Sequence, residues 1–394
     1  MIDFTISNLV NSGIREIFVI TQANADSLLR HLGEDLQAYD LSGALLKVVR
    51  PRLNERGQGY LGTANAVMQN LSLILKGKPD LVLIFGADHV YTMDVRQMID
   101  WHLERGAQLT VAARPMPVEE AGPFGTVLID QDWRIRDFAE KSVRPHLLPW
   151  RNDRALVSMG NYVFDPSLLG EALEEDSMEI DSCHDFGRNI LPEACLVKRV
   201  FAYDFRTNVI PGIDGPTDYW RDVGTIESYY RANMELIDPR SHLDFYHPGW
   251  PIRSVRRQEL PPKVVPGLSG RSGFVENSIL GHNTIVSGAC VRDSVIGPNV
   301  RILSGAVVEK SVLLGDITVG ERARIRRAII DHGNAIGESE QIGFDRDRDA
   351  ARYHLDASGI VVVPHGIRPS IQDPIVAPGR TPWQREVRIM GAHS

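Results

Sequence analysis

Two aspartates, Asp88 and Asp222, stand where metal-assisted phosphate chemistry would need them. Asp88 lies in "LVLIFGADHVYTMD" (81–94), where five apolar residues run into Gly86-Ala87 and then Asp88-His89. In open α/β sheets ligands bind beyond the carboxyl ends of the strands, and an ionised carboxylate close to a core is costly unless it is paired or holds a metal. Asp222 lies in "YWRDVGT" (219–225). Two aspartates converging there from distant segments could clamp a Mg²⁺ bound to phosphate oxygens. Taken alone, Asp88 would equally serve as a helix N-cap or a turn residue.

Three further stretches carry polar chemistry. "GYLGTANAV" (59–67) places Tyr60, Gly62 and Thr63 at a turn opening a helix, with backbone N–H groups free for a ligand and Thr63 able to cap. It also reads as a plain capped helix. "FAEKS" (138–142) sets Lys141 to neutralise a phosphate and Glu140 to accept hydrogen bonds from sugar hydroxyls. The same pair could be a solvated surface pair. "SMGNYVFD" (158–165) opens an apolar strand on the small residues Ser158 and Gly160, which could line a sugar pocket or simply start the strand.

The elements that must position these groups alternate through residues 1–235. "EIFVIT" (16–21), "LVLIFG" (81–86) and "LTVAARP" (109–115) are short continuous apolar runs, suited to strands buried on both faces. "NADSLLRHLG" and "TANAVMQNLSLILKG" read as helices, the second ending at a glycine stop, and "WRIRDF" reads as a strand. Alternation of this kind predicts an α/β sheet covered by helices. Residues 236–275 are rich in proline and glycine and read as a connector. From 276 to 345 the period becomes six. Ile296, Ile302, Val308 and Leu314 form one row, and Val300, Ala306, Val312 and Thr318 a second. Val319 and Ile325 resume the spacing after a one-residue slip. Period six is the mark of a hexapeptide β-helix. Residues 346–394 form a closing segment, with a mostly irregular tail from about 366.

Composition narrows the function. A formal charge of −8 disfavours broad binding to nucleic acid or anionic membrane. No apolar run approaches the roughly 18 residues of a membrane span, and "MIDFTISNLV" lacks the features of a signal peptide. Cys183, Cys195 and Cys290 have no metal-ligand spacing, and a sparse, odd count suits free thiols in a cytoplasmic protein.

The joint order of "IDFTISNLVNSGI", "YLGTANAVMQNL", "GADHVYTMD", "GPFGTV", "EKS", "SMGNYVFD", "CHDFGRNILP", "YWRDVGTIESYYRAN", "WPIRS" and "ARYHLDASGIVVV" resembles the ADP-glucose pyrophosphorylase family of bacterial glycogen synthesis, from residue 2 to about 363. The resemblance implies a nucleotidyltransferase mixed-sheet domain followed by a left-handed parallel β-helix, and the joining of ATP and glucose 1-phosphate into ADP-glucose and pyrophosphate. It implies Mg²⁺ on Asp88 and Asp222, Lys141 on the sugar phosphate, and Glu140, Ser158 and Gly160 around the sugar. Tyr60, Gly62 and Thr63 would lie by the adenine nucleotide. A cytoplasmic, allosterically controlled homotetramer is also implied.

The family's opening strand and its loop of the form G-G-x-G-x-R-L, with the K-P segment behind it, have no counterpart after Met1, which aligns inside the family pattern. The expectation is that the native start lies upstream. A catalytically impaired partner subunit is the alternative. A hexapeptide-repeat acyltransferase using His282 or His332 is a more distant one.

Overall fold

The computed structural model describes residues 1–366, apart from 24, 33–40, 42, 54–58, 214, 216–217, 242–245, 255–258 and 269. The tail expected to be irregular from about 366 therefore lies almost wholly outside the described residues. The chain divides into two compact units, Met1–Gln258 and Glu259–Ser394.

The first unit begins with helix α1 (Ile2–Asn11), strand β1 (Glu16–Ile20), helix α2 (Asp26–Leu32) and strand β2 (Leu45–Val49). β1 and β2 pair in parallel as a two-stranded sheet. Next come α3 (Thr63–Gln69), α4 (Leu71–Ile74), β3 (Val82–Phe85), β4 (His89–Tyr91), α5 (Val95–Glu104), β5 (Leu109–Pro117), β6 (Gly125–Ile129), β7 (Ile135–Glu140), β8 (Leu147–Leu148) and β9 (Arg151–Phe164). α6 (Pro166–Met178), α7 (Leu191–Val197), β10 (Val200–Asp204), β11 (Trp220–Asp222) and α8 (Ile226–Glu235) complete the unit. The main sheet runs β10-β5-β9-β6-β7, and β3 and β8 also pair with β9. It is mixed, as the resemblance implied: β10 and β5 are parallel, while β3, β5 and β6 are antiparallel to β9. One side packs Leu109, Val111, Phe164, Leu169 and Phe186, and another cluster gathers Ile6, Ile17, Met98, Ala112 and Trp220.

Two details depart from the sequence reading. "TANAVMQNLSLILKG" is not one helix but breaks at Asn70, whose side-chain amide donates to the Ala66 carbonyl and to the Tyr60 hydroxyl. A side chain competing with the backbone ladder is what ends the helix there. The first part of the stretch read as connector is packed rather than free: the Trp250 indole donates to Asn8 and the Asn11 amide to the Pro251 carbonyl.

The second unit is a coil of three sheets, parallel from coil to coil. One contains Lys263–Val265, Ile285–Ser287, Arg301–Ile302, Thr318–Val319 and Ala335–Ile336. Another pairs Cys290 with Val307, Val307 with Arg324 and Arg324 with Gln341, a step of 17 residues each time. The third adds Val361–Val363 beside Ala328–Ile330 and ends on His354–Leu355, which is antiparallel to it. Strands at both ends thus pair in these sheets outside the 276–345 limits.

The inward residues are Ile296, Ile302, Val308, Leu313, Val319, Ile325 and Ile330, all essentially buried. The repeat is therefore six, six, five rather than a uniform six. Leu313, not Leu314, takes the core position, and Thr318 is exposed. The short step crosses the corner occupied by Asp293, Lys310 and Arg327, each in the left-handed region at φ 44°, 44° and 49°. Left-handed residues also turn the six-residue corners, at Asn299, Asp316 and Arg322, each at a steric cost for a side chain carrying Cβ.

Candidate active site

β3 delivers Asp88 as expected. Gly86 donates its backbone N–H to the Gly160 carbonyl at 3.0 Å, which ends β3 against β9. Asp88 then stands outside, with 69% of its side chain exposed. It does not cap a helix. That task falls to Asp94, which accepts the Arg96 N–H and opens α5.

Asp222 arrives from 134 residues away through the antiparallel pair of β4 with β11, in which Asp222 is the register partner of His89. Asp222 thus faces the residue that follows Asp88 in the chain. His89 lies between these segments in register, with its ring 4.9 Å from that of Trp220 and its Nδ1 3.6 Å from Asp88 Oδ1. Burial pushes the His89 pKa down, and the Asp88 and Asp222 carboxylates both oppose that shift. Its buried Nδ1 has no hydrogen-bond partner among the described residues. Asp222 Oδ1 accepts the Gly224 N–H.

Two carboxylates are hard oxygen donors of the kind Mg²⁺ takes in small number, with the remaining positions left to water and phosphate. No group of three His, Cys, Asp or Glu side chains that could hold a metal forms among the described residues. The donor set fits a metal held jointly by protein and substrate.

Ser158 and Gly160 owe their place to a bulge. Between Val111/Ala113 on β5 and Tyr162/Ser158 on β9 the register slips, and Gly160 takes φ +70°. Ser158 Oγ accepts the Gly160 N–H at 3.2 Å. The bulge thus touches both the Asp88 turn and the Ser158 side.

Glu140 ends β7, and Lys141 follows with φ +47°, exposed, its N–H held by the Phe124 carbonyl. The Glu140 carboxylate presses on Gly125 and Gly187: a Cβ at either would come within 2.6 Å of Oε2. Burial raises the Glu140 pKa, the Asp185 carboxylate adds to that, and Lys141 and Arg188 work against it.

At the Gly62 turn the structure reassigns one role. Thr63 is the first helical residue of α3 and Gly62 its cap, with no side-chain capping bond. The Thr63 hydroxyl instead donates to Asp185 Oδ2 at 2.9 Å and accepts the Phe186 N–H at 3.0 Å. Tyr60 is buried, and its backbone N–H and carbonyl are both bonded to the Gln22 side chain.

Segment 184–187, within "CHDFGRNILP", carries functional contacts that its sequence does not signal. Its bonds to Thr63 join residues more than 120 positions apart, which no local pattern reveals. Of the solenoid histidines, His332 Nδ1 pairs with the adjacent Asp331, and His365 Nδ1 bonds the His332 carbonyl 33 positions away. The three cysteines are free thiols, and burial pushes that of Cys195 up to about 12. No helix among the described residues is long and apolar enough to cross a membrane.

Comparison with known proteins agrees with this anatomy. Residues 1–238 match the family model of nucleotidyl transferases, and residues 260–363 match that of GlmU-like C-terminal hexapeptide domains, in keeping with a left-handed β-helix. A glucose-1-phosphate adenylyltransferase of Thermus thermophilus is 43% identical over 93% of this chain and 91% of its own length. That of Deinococcus radiodurans is 41% identical over 93% and 90%, and that of Pectobacterium carotovorum 39% identical over 92% and 86%.

Proposed function

The chain belongs to the glucose-1-phosphate adenylyltransferase family of nucleotidyltransferases, and from that premise we propose how its own residues make ADP-glucose and pyrophosphate from ATP and glucose 1-phosphate. The observation that carries the site assignment is the β4–β11 register, which sets Asp222 opposite His89 and so beside Asp88 at the end of β3.

Asp88 and Asp222 hold Mg²⁺, which when bound supplies positive charge against the phosphates. Lys141 holds the phosphate of glucose 1-phosphate. Glu140, Ser158 and the Gly160 bulge face the sugar. Gly62, Thr63 and Tyr60 form the adenine-nucleotide side. The Thr63 hydroxyl both donates and accepts within the protein, whereas the Tyr60 hydroxyl accepts from the Asn70 amide and keeps its O–H to donate. The sugar phosphate oxygen attacks the α-phosphorus of ATP, and catalysis rests on alignment and charge neutralisation. The homotetramer belongs to the same reading and is checked by light scattering.

The expected further strand and phosphate loop are the remaining part. β1 pairs only with β2 and β3 only with β9 among the described residues, so each presents one edge without a partner strand. Such edges leave room for a further strand, and a strand followed by a glycine-rich phosphate loop is what the family resemblance implies. The test is ADP-glucose formation and melting temperature for the chain with and without an upstream extension of that form. Gains in both support the reading. Full activity without the extension refutes the need for it. Inactivity of both forms, restored by co-expression with an intact homologue, would make the chain a partner subunit.

A further inference from the structure

Asp176 is a buried carboxylate that the chemistry above does not use. It sits in the last turn of α6 with 6% of its surface exposed. A negative charge there opposes the helix dipole, so the position does not serve the helix. A buried carboxylate persists only where its oxygens are bonded. Both are: Oδ1 accepts from the Ser182 hydroxyl at 2.5 Å and Oδ2 from His184 Nδ1 at 2.8 Å. Ser182 Oγ in turn accepts the His184 N–H at 2.8 Å. The hydroxyl is bonded to the carboxylate and not to the imidazole, so the three residues form an anchor rather than a nucleophile with its base.

The anchor holds His184 in the left-handed region at φ +51°. That conformation aims the His184 carbonyl at the first turn of α3, where it accepts the Ala64 N–H at 2.8 Å and the Asn65 N–H at 3.3 Å. The next residues continue both ways. Asp185 and Phe186 bind the Thr63 hydroxyl, while Gly187 lies against the Glu140 carboxylate, whose pKa Asp185 helps to raise. One short segment thus touches the nucleotide side and the sugar side together.

We propose that Asp176 is a positioning residue for the adenylyl transfer, acting through Ser182 and His184 to fix segment 182–187 against the Gly62–Thr63 turn and Glu140 at once. The proposal rests on the substrate assignment above, and its test separates the two.

Hydrogen exchange on the full chain needs no turnover. In Asp176→Ala, peptides spanning 60–70 and 182–190 should exchange at least tenfold faster while those of β5 and β10 keep their rates. Unchanged exchange in the 60–70 peptide would overturn the anchoring. In an active form of the enzyme, Asp176→Ala should raise the KM for ATP and for glucose 1-phosphate together, about tenfold each, with kcat within about threefold. Asp176→Asn, which keeps one acceptor, should recover part of both. A lower melting temperature with both KM values unchanged, or a rise in only one, would overturn the proposal. Ser182→Ala gives the same comparison should Asp176→Ala fail to fold. Absence of ADP-glucose from every form of the wild type would defeat the substrate assignment, while the exchange result would still decide the anchoring.

Discussion

Replacing Gly62 by alanine isolates the closeness of two backbone segments. Gly62 has φ −166° and ψ −179°, extended backbone that any residue adopts, so no torsional strain accompanies the change. A Cβ there would stand 2.3 Å from the His184 carbonyl oxygen and 2.4 Å from that of Cys183. Both are backbone atoms, and a carbon needs roughly another 1 Å from each. Forced overlap in a packed site costs about 1–3 kcal/mol. Relief requires parting the 183–184 segment from α3, which strains the two bonds the His184 carbonyl accepts, at about 0.5–1.5 kcal/mol each. The two costs trade against each other, so we expect a loss of about 1–3 kcal/mol, read as a drop in the urea midpoint at unchanged slope. Gly170 in α6 is the control: nothing lies within 4 Å of its Cβ position, and alanine there should stabilise by about 0.5–1 kcal/mol. A Gly62→Ala protein within about 0.5 kcal/mol of wild type would refute the steric argument, since that is the scatter of neutral surface changes.

Three other substitutions test the site. Asp88→Asn should lower Mg²⁺-dependent turnover by about 100-fold or more in an active form, yet leave the melting temperature unchanged because the side chain is largely exposed; activity within a few-fold of wild type removes Asp88 from the metal pair. Lys141→Ala should chiefly raise the KM for glucose 1-phosphate, and a rise for ATP instead would move the lysine to the other substrate. Glu140→Gln should be more stable than wild type at pH 7 and equal to it near pH 4. The raised Glu140 pKa means its protonated form is favoured by the fold, a contribution present below the ordinary value of 4.5 and lost as pH rises through the raised one. Equal stability at both pH values in chemical denaturation would contradict the burial that raises it.

Much of this was legible because strand ends and repeats write themselves locally. The apolar run before Gly86 placed Asp88, and the six-residue rows announced the coil. What stayed hidden depends on contacts across the chain. Nothing within "YTMD" says that Asp94 rather than Asp88 caps α5; that follows only when β4 pairs with β11 and occupies the residues between. Thr63 reads as a cap because caps are local, whereas its actual partners, Asp185 and Phe186, are brought by α6 and the turn after it. The split of the second predicted helix turned on one amide at Asn70, too small a feature to disturb the apolar spacing around it.

The six-six-five coil also makes length a quantised property of the second unit. From Cys290 to Gln341 strand partners recur every 17 positions, whereas the coil before it takes 16, from Phe274 to Cys290 and from Ile285 to Arg301, and the corner at Asp293, Lys310 and Arg327 recurs with them. Losing one residue from a strand would send every later side chain to the opposite face. Losing a whole coil would join equivalent corners and leave the rows in phase, because each coil rests only on its neighbours. Relatives that grow or shrink here should therefore differ by about one full coil at a time, with odd insertions confined to the corners.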